Sequence, residues 1–212
     1  MKQTNNLKQL SFISHGFCNN RDSYLAPAPV LMNQVHSADV LFLTKRPDMP
    51  PAVDALITQN SELCLAVKTA DCAPVLLVDT TSKMVAAVHA GWKGAFQGIL
   101  ENTVLEMIRH GAVLGTIYAG IGPHIQKESF ICGEDMKNLF PVTEKKFFIQ
   151  DGNHTHFDFD TYVRYRLERC GIQNIESVTD DTYTDTDYFS YRRDPADTGR
   201  QYRFILIKEE KI

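Results

Sequence analysis

Between Leu63 and Gly94 the chain reads LCLAVKTADCAPVLLVDTTSKMVAAVHAGWKG, three short apolar runs separated by compact polar breaks. Runs of this length, rich in apolar and β-branched residues and bounded by turn formers, predict buried strands at LCLAV, APVLLV and MVAAV. DTTSK is short and polar, so the second and third runs should form a hairpin. Symmetric pairing about Thr81 and Ser82 sets position 74 opposite 89 and position 72 opposite 91. Cys72 and His89 then share one edge of the sheet, with Cβ atoms about 5–8 Å apart. A thiolate and an imidazole at that separation can share a metal ion or act as nucleophile and base. They can equally be a packed core cysteine and an unrelated histidine, because Cys is often buried for packing alone.

The flanking sequence extends the strand pattern. LSFISHGF reads as a strand that brings His15 to a loop also holding Arg21. After Pro27 and Pro29, which forbid a helix, VLMNQVH and DVLFLT read as strands with a bend at His36–Ser37. His36 therefore lies at a strand break, as Cys72 and His89 do. From Ala95 the period changes: AFQGILENTVLEMIRHG places Phe96, Ile99, Leu100, Val104 and Met107 on one helical face, with Gly111 as a stop. His110 is then a charge at a helix C-terminus. TIYAGIGPHI is a strand entering a glycine-rich loop, where Gly120 and Gly122 can offer backbone N–H groups to an anion. GEDMKNLF predicts a short helix, and DFDTYVRYRLERCG a longer one ending at Gly171. NIESVTD and YRFILI read as strands. His154 and His156 form the one His-x-His pair. Adjacent Arg192 and Arg193, beside aromatics, suit phosphate or carboxylate binding, or salt bridges to nearby Asp185, Asp187 and Asp194.

Composition excludes several classes. The 212 residues suffice for one well-cored domain or at most two small ones, and a net charge of −4 leaves no electrostatic footprint for nucleic acid. MKQTNNLKQL lacks the apolar core of a signal peptide, and no run approaches the ~18–20 apolar residues of a membrane span. Five scattered cysteines with no CxxC argue against a disulfide framework or zinc ribbon. A reduced, cytoplasmic protein of α+β class is expected, with mixed sheets covered by helices.

The strings NQVHSADV, VDALIT, LAVKTADCAPVLLVD, VAAVHAGWKG, GIGPHI and FSYRRD…TGRQ, in that order, resemble the multicopper polyphenol oxidase or laccase-domain family. The resemblance runs from His15 to Ile207 and is most specific at TADCAP and HAGWKG. It implies a single domain over residues 1–212, folded as a layered α/β/β/α sandwich. It also implies one metal, usually zinc, on His36, Cys72 and His89, and broad-specificity purine nucleoside chemistry. One departure stands out. The family's Asn-Leu-Gly loop and helix before the QVH segment are replaced here by DSYLAPAPVLM, residues 22–32.

Two imidazoles and a thiolate leave one coordination position open, as in catalytic zinc sites. Copper binds such ligands more tightly still. The implied reactions are two. Phosphorolysis of adenosine, inosine, guanosine or methylthioadenosine yields the purine base and ribose 1-phosphate. It needs cationic phosphate binders, for which Lys93, Arg192 and Arg193 are candidates, with the Gly120 and Gly122 backbone. Deamination of adenosine to inosine needs an acid–base group, and Asp71, beside Cys72, is the first candidate, although it can equally be a turn cap. Purine nucleosides and phosphate are thus the expected partners. A true multicopper oxidase would need roughly ten histidines in His-x-His pairs by the chemistry of such centres; this chain has seven histidines. The alternatives are a single-copper oxidase of phenols, a cysteine hydrolase with a Cys72/His89 dyad, and a non-catalytic metal-binding protein. The dyad has no use for His36, which a metal requires.

Overall fold

A computed structural model describes residues 1–22, 27–196 and 198–208. The predicted hairpin forms as β5 (Ala73–Asp79) and β6 (Met84–Ala90), with Pro74 opposite His89. Its turn is organised by Asp79, whose carboxylate accepts from the Ser82 amide at 2.8 Å and from the Thr116 hydroxyl at 2.5 Å. Around the hairpin grow β2 (Val40–Leu43) and β3 (Ala55–Thr58) on one side. On the other side lie β7 (Ile117–Ile121) and β11 (Asn174–Ser177). The result is a mixed six-stranded sheet in the order β11-β7-β5-β6-β3-β2.

Both faces of this sheet are buried, so its central strands are apolar throughout rather than alternating. Val75, Leu77, Ala86 and Val88 point to one core, under α3 (Ile99–Arg109) and α5 (Phe159–Arg169). Leu76, Val78, Val85 and Ala87 point to the other. That second core is closed by an antiparallel sheet of β1 (Ile13–Phe17), β12 (Gln201–Ile207) and β4 (Leu65–Thr69). A single helical turn, α1 (Asn5–Lys8), packs on β7 and β11 and adds Leu7 to this core. The order helices, sheet, sheet agrees with the expected α+β class and with three of the four expected layers. A helical layer outside the three-stranded sheet is not found among the described residues. A third sheet, of β8 (Ile131–Cys132), β10 (His154–Phe157) and β9 (Phe148–Asp151), flanks α5 with a cluster of packed phenylalanines. The short helix α4 (Glu134–Leu139) forms as expected. No helix of the described residues is long and apolar enough to cross a membrane.

Two local expectations need correction. VLMNQVH is not a strand: only Val30 makes an isolated bridge, to Leu65, and residues 31–36 are irregular. The amides of Val35 and His36 turn instead to a buried carboxylate described below. The helix expected over AFQGILENTVLEMIRHG is two helices, α2 (Trp92–Gln97) and α3, broken at Gly98 with φ +100°. Left-handed backbone there is tolerable because glycine has no Cβ. Of the segment DSYLAPAPVLM, residues 23–26 lie outside the described residues.

Candidate metal centre

The site is assembled at strand ends. His89 stands near the end of β6, and Cys72 directly precedes β5. His36 lies in the irregular segment before β2, with a left-handed φ of +59°. One ligand-type atom from each of the three lies within 4.8 Å of the others. Tetrahedral zinc with bonds of ~2.0–2.3 Å would bring such atoms to about 3.3–3.6 Å apart. Closing from 4.8 Å to that spacing asks for about 1.2–1.5 Å, and His36 is the exposed member of the three. Gly91 shows how closely these groups are packed. A Cβ there would lie 2.6 Å from His36 Nδ1 and 3.3 Å from Cys72 Sγ. At Gly94 a Cβ would meet the Ser37 carbonyl at 2.8 Å. Both glycines of HAGWKG are thus required by the close approach of residues 36–37.

The organiser of this side is Asp54, which the sequence reading passed over. It is fully buried just before β3. Its Oδ1 accepts from His89 Nδ1 at 2.7 Å and from the His36 amide at 3.1 Å. Its Oδ2 accepts from the amides of Val35 and Ser37 and from the Ser37 hydroxyl. One carboxylate therefore orients one histidine of the cluster by its ring and the other by its backbone, leaving the second ring nitrogen of His89 to Cys72, its hydrogen-bond partner in the metal-free chain. Such outer partners fix tautomer and orientation in metal sites. Burial disfavours the Asp54 anion, but the hydrogen bonds from His89 and Ser37 outweigh it and hold its pKa at about 2. Burial likewise opposes a charged His89, but Cys72 and Asp54 push its pKa up to about 9 in the metal-free chain. Burial and then the charge of His89 lower His36. The signal for Asp54 was present in VDALIT: an acid embedded in an apolar strand must find donors.

The three residues open into a cavity of about 940 Å³. Lys68, Lys93, Arg192 and Arg200 line it, and Asp71 is the one carboxylate among its described walls. Trp92, Phe130, Phe159 and Tyr191 give it flat apolar surface. Asp71 is a cap rather than a free acid. With φ +81° it turns the chain between β4 and β5. Its oxygens accept from Thr182 Oγ1 at 2.7 Å, Ser190 Oγ at 3.1 Å and the Arg192 amide at 2.7 Å.

The other expected binders divide. Arg192 lines the cavity, with its guanidinium 5.6 Å from the Phe130 ring centre and Nη1 donating to the Ile131 carbonyl. Arg193 instead ties its own loop, donating to the carbonyls of Thr182, Tyr183 and Tyr188 and to Asp194. Lys93 is on the cavity wall. Gly120 and Gly122 are not. A Cβ at Gly120 would strike Thr4 and Leu7, and one at Gly122 would strike Phe17, so both face the second core. The Gly122 amide donates to the Pro74 carbonyl, so the anticipated anion cradle does not form there. Lys68 and Arg200 are added by the fold alone, since they lie on β4 and just before β12.

The remaining histidines stay outside. His15 is buried between the sheets, where burial drops its pKa to about 4. His110 stacks on Phe42 and contacts Glu106. His156 pairs with the Lys127 carbonyl, and His154 is exposed. Arg21 pairs with Asp187.

Residues 19–208 match the family model described as multi-copper polyphenol oxidoreductase laccase. The chain belongs to this family. It is 33% identical over 188 residues to a protein of Rickettsia prowazekii strain Madrid E named purine nucleoside phosphorylase RP494. It is 37% identical over 187 residues to purine nucleoside phosphorylase YfiH of Escherichia coli strain K12. Each match covers 86% of this chain and 75% of the relative. The crystal structure of Neisseria meningitidis protein NMB0706 superposes with a TM-score of 0.78 at 34% identity, covering 85% of this chain and 76% of that one. That of the Bacillus licheniformis protein YfiH gives 0.77 at 30% identity, covering 84% and 74%.

Proposed function

We propose that this chain is a metal-dependent purine nucleoside enzyme that works by phosphorolysis, with residues 1–212 acting as one domain. The observation that carries the reading is the pairing of the His36–Cys72–His89 cluster with a cavity lined by four cationic side chains. Relatives that this chain covers over three quarters of their length bear the name purine nucleoside phosphorylase. In the reaction, a phosphate oxygen bonds to C1′ of the ribose while the bond from C1′ to the purine nitrogen breaks. The bonding electrons leave with the base, which gains the proton that the hydrogen phosphate loses, giving purine and ribose 1-phosphate. Lys93 and Arg192, with Lys68 and Arg200, would hold the phosphate dianion, which must be gathered and oriented before attack. Trp92, Phe130 and Tyr191 offer ring faces on which a purine can stack.

His36, Cys72 and His89 would hold the metal, and zinc suits two imidazoles and one thiolate. When bound, it would supply Lewis-acid polarisation of a substrate oxygen. Asp54, by accepting from Nδ1, would keep the metal-bound His89 in the tautomer whose Nε2 coordinates. Adenosine, inosine, guanosine and methylthioadenosine are the proposed substrates. Adenosine deamination is the weaker reading, because the one carboxylate on the described cavity wall has both oxygens engaged. The test is product analysis of metal-loaded protein with each nucleoside, with and without inorganic phosphate. Base and ribose 1-phosphate should form only with phosphate. No base release with zinc or copper loaded would overturn the reading, and inosine formed from adenosine without phosphate would install deamination instead.

A further inference from the structure

We infer that Asp71 is a positioning residue that ties the cationic wall of the cavity to the metal centre, not a proton-transfer group. The inference rests on the phosphorolysis reading for the identity of the anion, but the tie itself is a matter of geometry. Asp71 occupies the turn that delivers Cys72. Its left-handed backbone is a conformation that Asp tolerates better than most side chains. Its carbonyl accepts from the Ile125 amide at 3.1 Å, which fixes the turn against the loop after β7. From this fixed point its carboxylate reaches residues more than a hundred positions later in the chain. Oδ1 takes the hydroxyl of Thr182, and Oδ2 takes the hydroxyl of Ser190 and the amide of Arg192.

Those three donors bracket the segment that carries Arg192. The segment is closed from the opposite side by Arg193, whose guanidinium donates to the carbonyls of Thr182, Tyr183 and Tyr188. The Arg193 amide donates to Ser190 Oγ, the same hydroxyl that donates to Asp71. An anion collects the segment's donors and a cation collects its acceptors, so the loop is held without regular secondary structure. What this holds in place is the Arg192 side chain, on the Phe130 ring and at the Ile131 carbonyl, with Nη1 alone hydrogen-bonded among the described residues. A guanidinium so fixed loses little freedom on binding an oxyanion, and that is the advantage of preorganisation. Because Cys72 follows Asp71 directly, one residue sets both the thiolate of the metal centre and the cationic group facing it.

The experiment uses the full chain loaded with zinc, comparing wild type with Asp71→Asn. Asn accepts the same backbone conformation and keeps one acceptor oxygen, but its amide nitrogen cannot accept the remaining donors. Hydrogen exchange should accelerate at least tenfold at the amide of Arg192. Binding of inorganic phosphate, measured by calorimetry, should weaken at least tenfold, and KM for phosphate should rise in parallel while KM for inosine stays within about twofold. Zinc affinity should change by no more than about twofold. A second variant, Thr182→Val with Ser190→Ala, removes donors without touching Asp71. It should reproduce the exchange and phosphate effects, and it decides the matter if Asp71→Asn does not fold. The inference is overturned if either variant leaves Arg192 exchange and phosphate binding unchanged. It is also overturned if Asp71→Asn lowers kcat more than a hundredfold with phosphate binding intact. A wild-type protein that binds no phosphate would overturn the phosphorolysis reading, while the exchange measurement would still decide the tie.

Discussion

Asp54 and Asp71 are buried carboxylates beside one cavity, and they organise its two sides differently. Asp54 lies just before β3 and gathers donors that are local in space and rigid: the His89 ring on the neighbouring strand and the amides of residues 35–37. Asp71 lies in a strained turn and gathers donors from a distant loop, residues 182–192. The first arrangement holds His89 on sheet scaffolding, where positions are set by ladder hydrogen bonds, and ties the irregular segment of His36 to that scaffold. The second fixes a cationic side chain on irregular backbone, where a few side-chain hydrogen bonds must do the same task. The lesson is that the two halves of the site should fail separately and by different measurements.

The sharpest separation comes from Asp54→Ala. It removes the acceptor of five hydrogen bonds, including the one to His89 Nδ1. Zinc affinity, read by competition with a chromophoric chelator, should fall about a hundredfold. Phosphate binding to the cationic wall should fall far less. Equal loss of both ligands would erase the distinction between the two sides. Next in size is Arg192→Ala, which should raise KM for phosphate at least tenfold with an unchanged melting temperature. Arg193→Ala should act mainly on stability, with a smaller rise in KM for phosphate, because that side chain holds the loop that carries Arg192. Loss of its hydrogen bonds should lower the melting temperature by roughly 5 °C. Equal losses of phosphorolysis in the two variants, with folding intact, would refute this division of roles.

The smallest expected effect is one of pH and belongs to the metal side alone. In metal-free protein the pKa of His89 is raised from 6.5 to about 9, so its contribution is fully present below pH 6.5 and is lost as pH rises through 9. The pKa of Asp54 is depressed from 3.8 to about 2, so its contribution is present above pH 3.8 and is lost as pH falls toward 2. Metal-free protein should therefore melt a few degrees lower at pH 9.5 than at pH 6.5. Zinc-loaded protein should escape that loss, because coordination requires the neutral imidazole and strengthens as pH rises. The same pH dependence with and without zinc would separate His89 from the metal.

How much of this could be read from the sequence follows the same division. The hairpin register was legible because DTTSK leaves one symmetric pairing, and the structure places Pro74 opposite His89 as that pairing requires. With the register came the proximity of Cys72 and His89. His36 was legible as a break before DVLFLT, but its segment is not a strand, since its amides serve Asp54 rather than a ladder. Asp54 itself was missed because VDALIT reads as an ordinary buried strand until its donors are known. The cationic wall was legible in composition and not in detail. Adjacent arginines give no local rule for which one faces a cavity, and the anion cradle expected at Gly120–Gly122 is lost because Gly120 lies within β7 and the Gly122 amide bonds to Pro74. Lys68 and Arg200 meet only through the pairing of β4 with β12, a contact across more than a hundred residues.

The central claim is that His36, Cys72 and His89 hold one metal ion and that activity depends on it. Titration of metal-stripped protein with cobalt(II), without oxygen, tests it most directly. One ion should bind per chain with a thiolate-to-metal charge-transfer band. Cys72→Ser should abolish the band, His36→Ala should weaken binding, and turnover should follow occupancy. Full turnover in metal-stripped protein, together with an active His36→Ala variant, would contradict the account and leave Cys72, His89 and Asp54 as a nucleophile, its base and the orienting carboxylate.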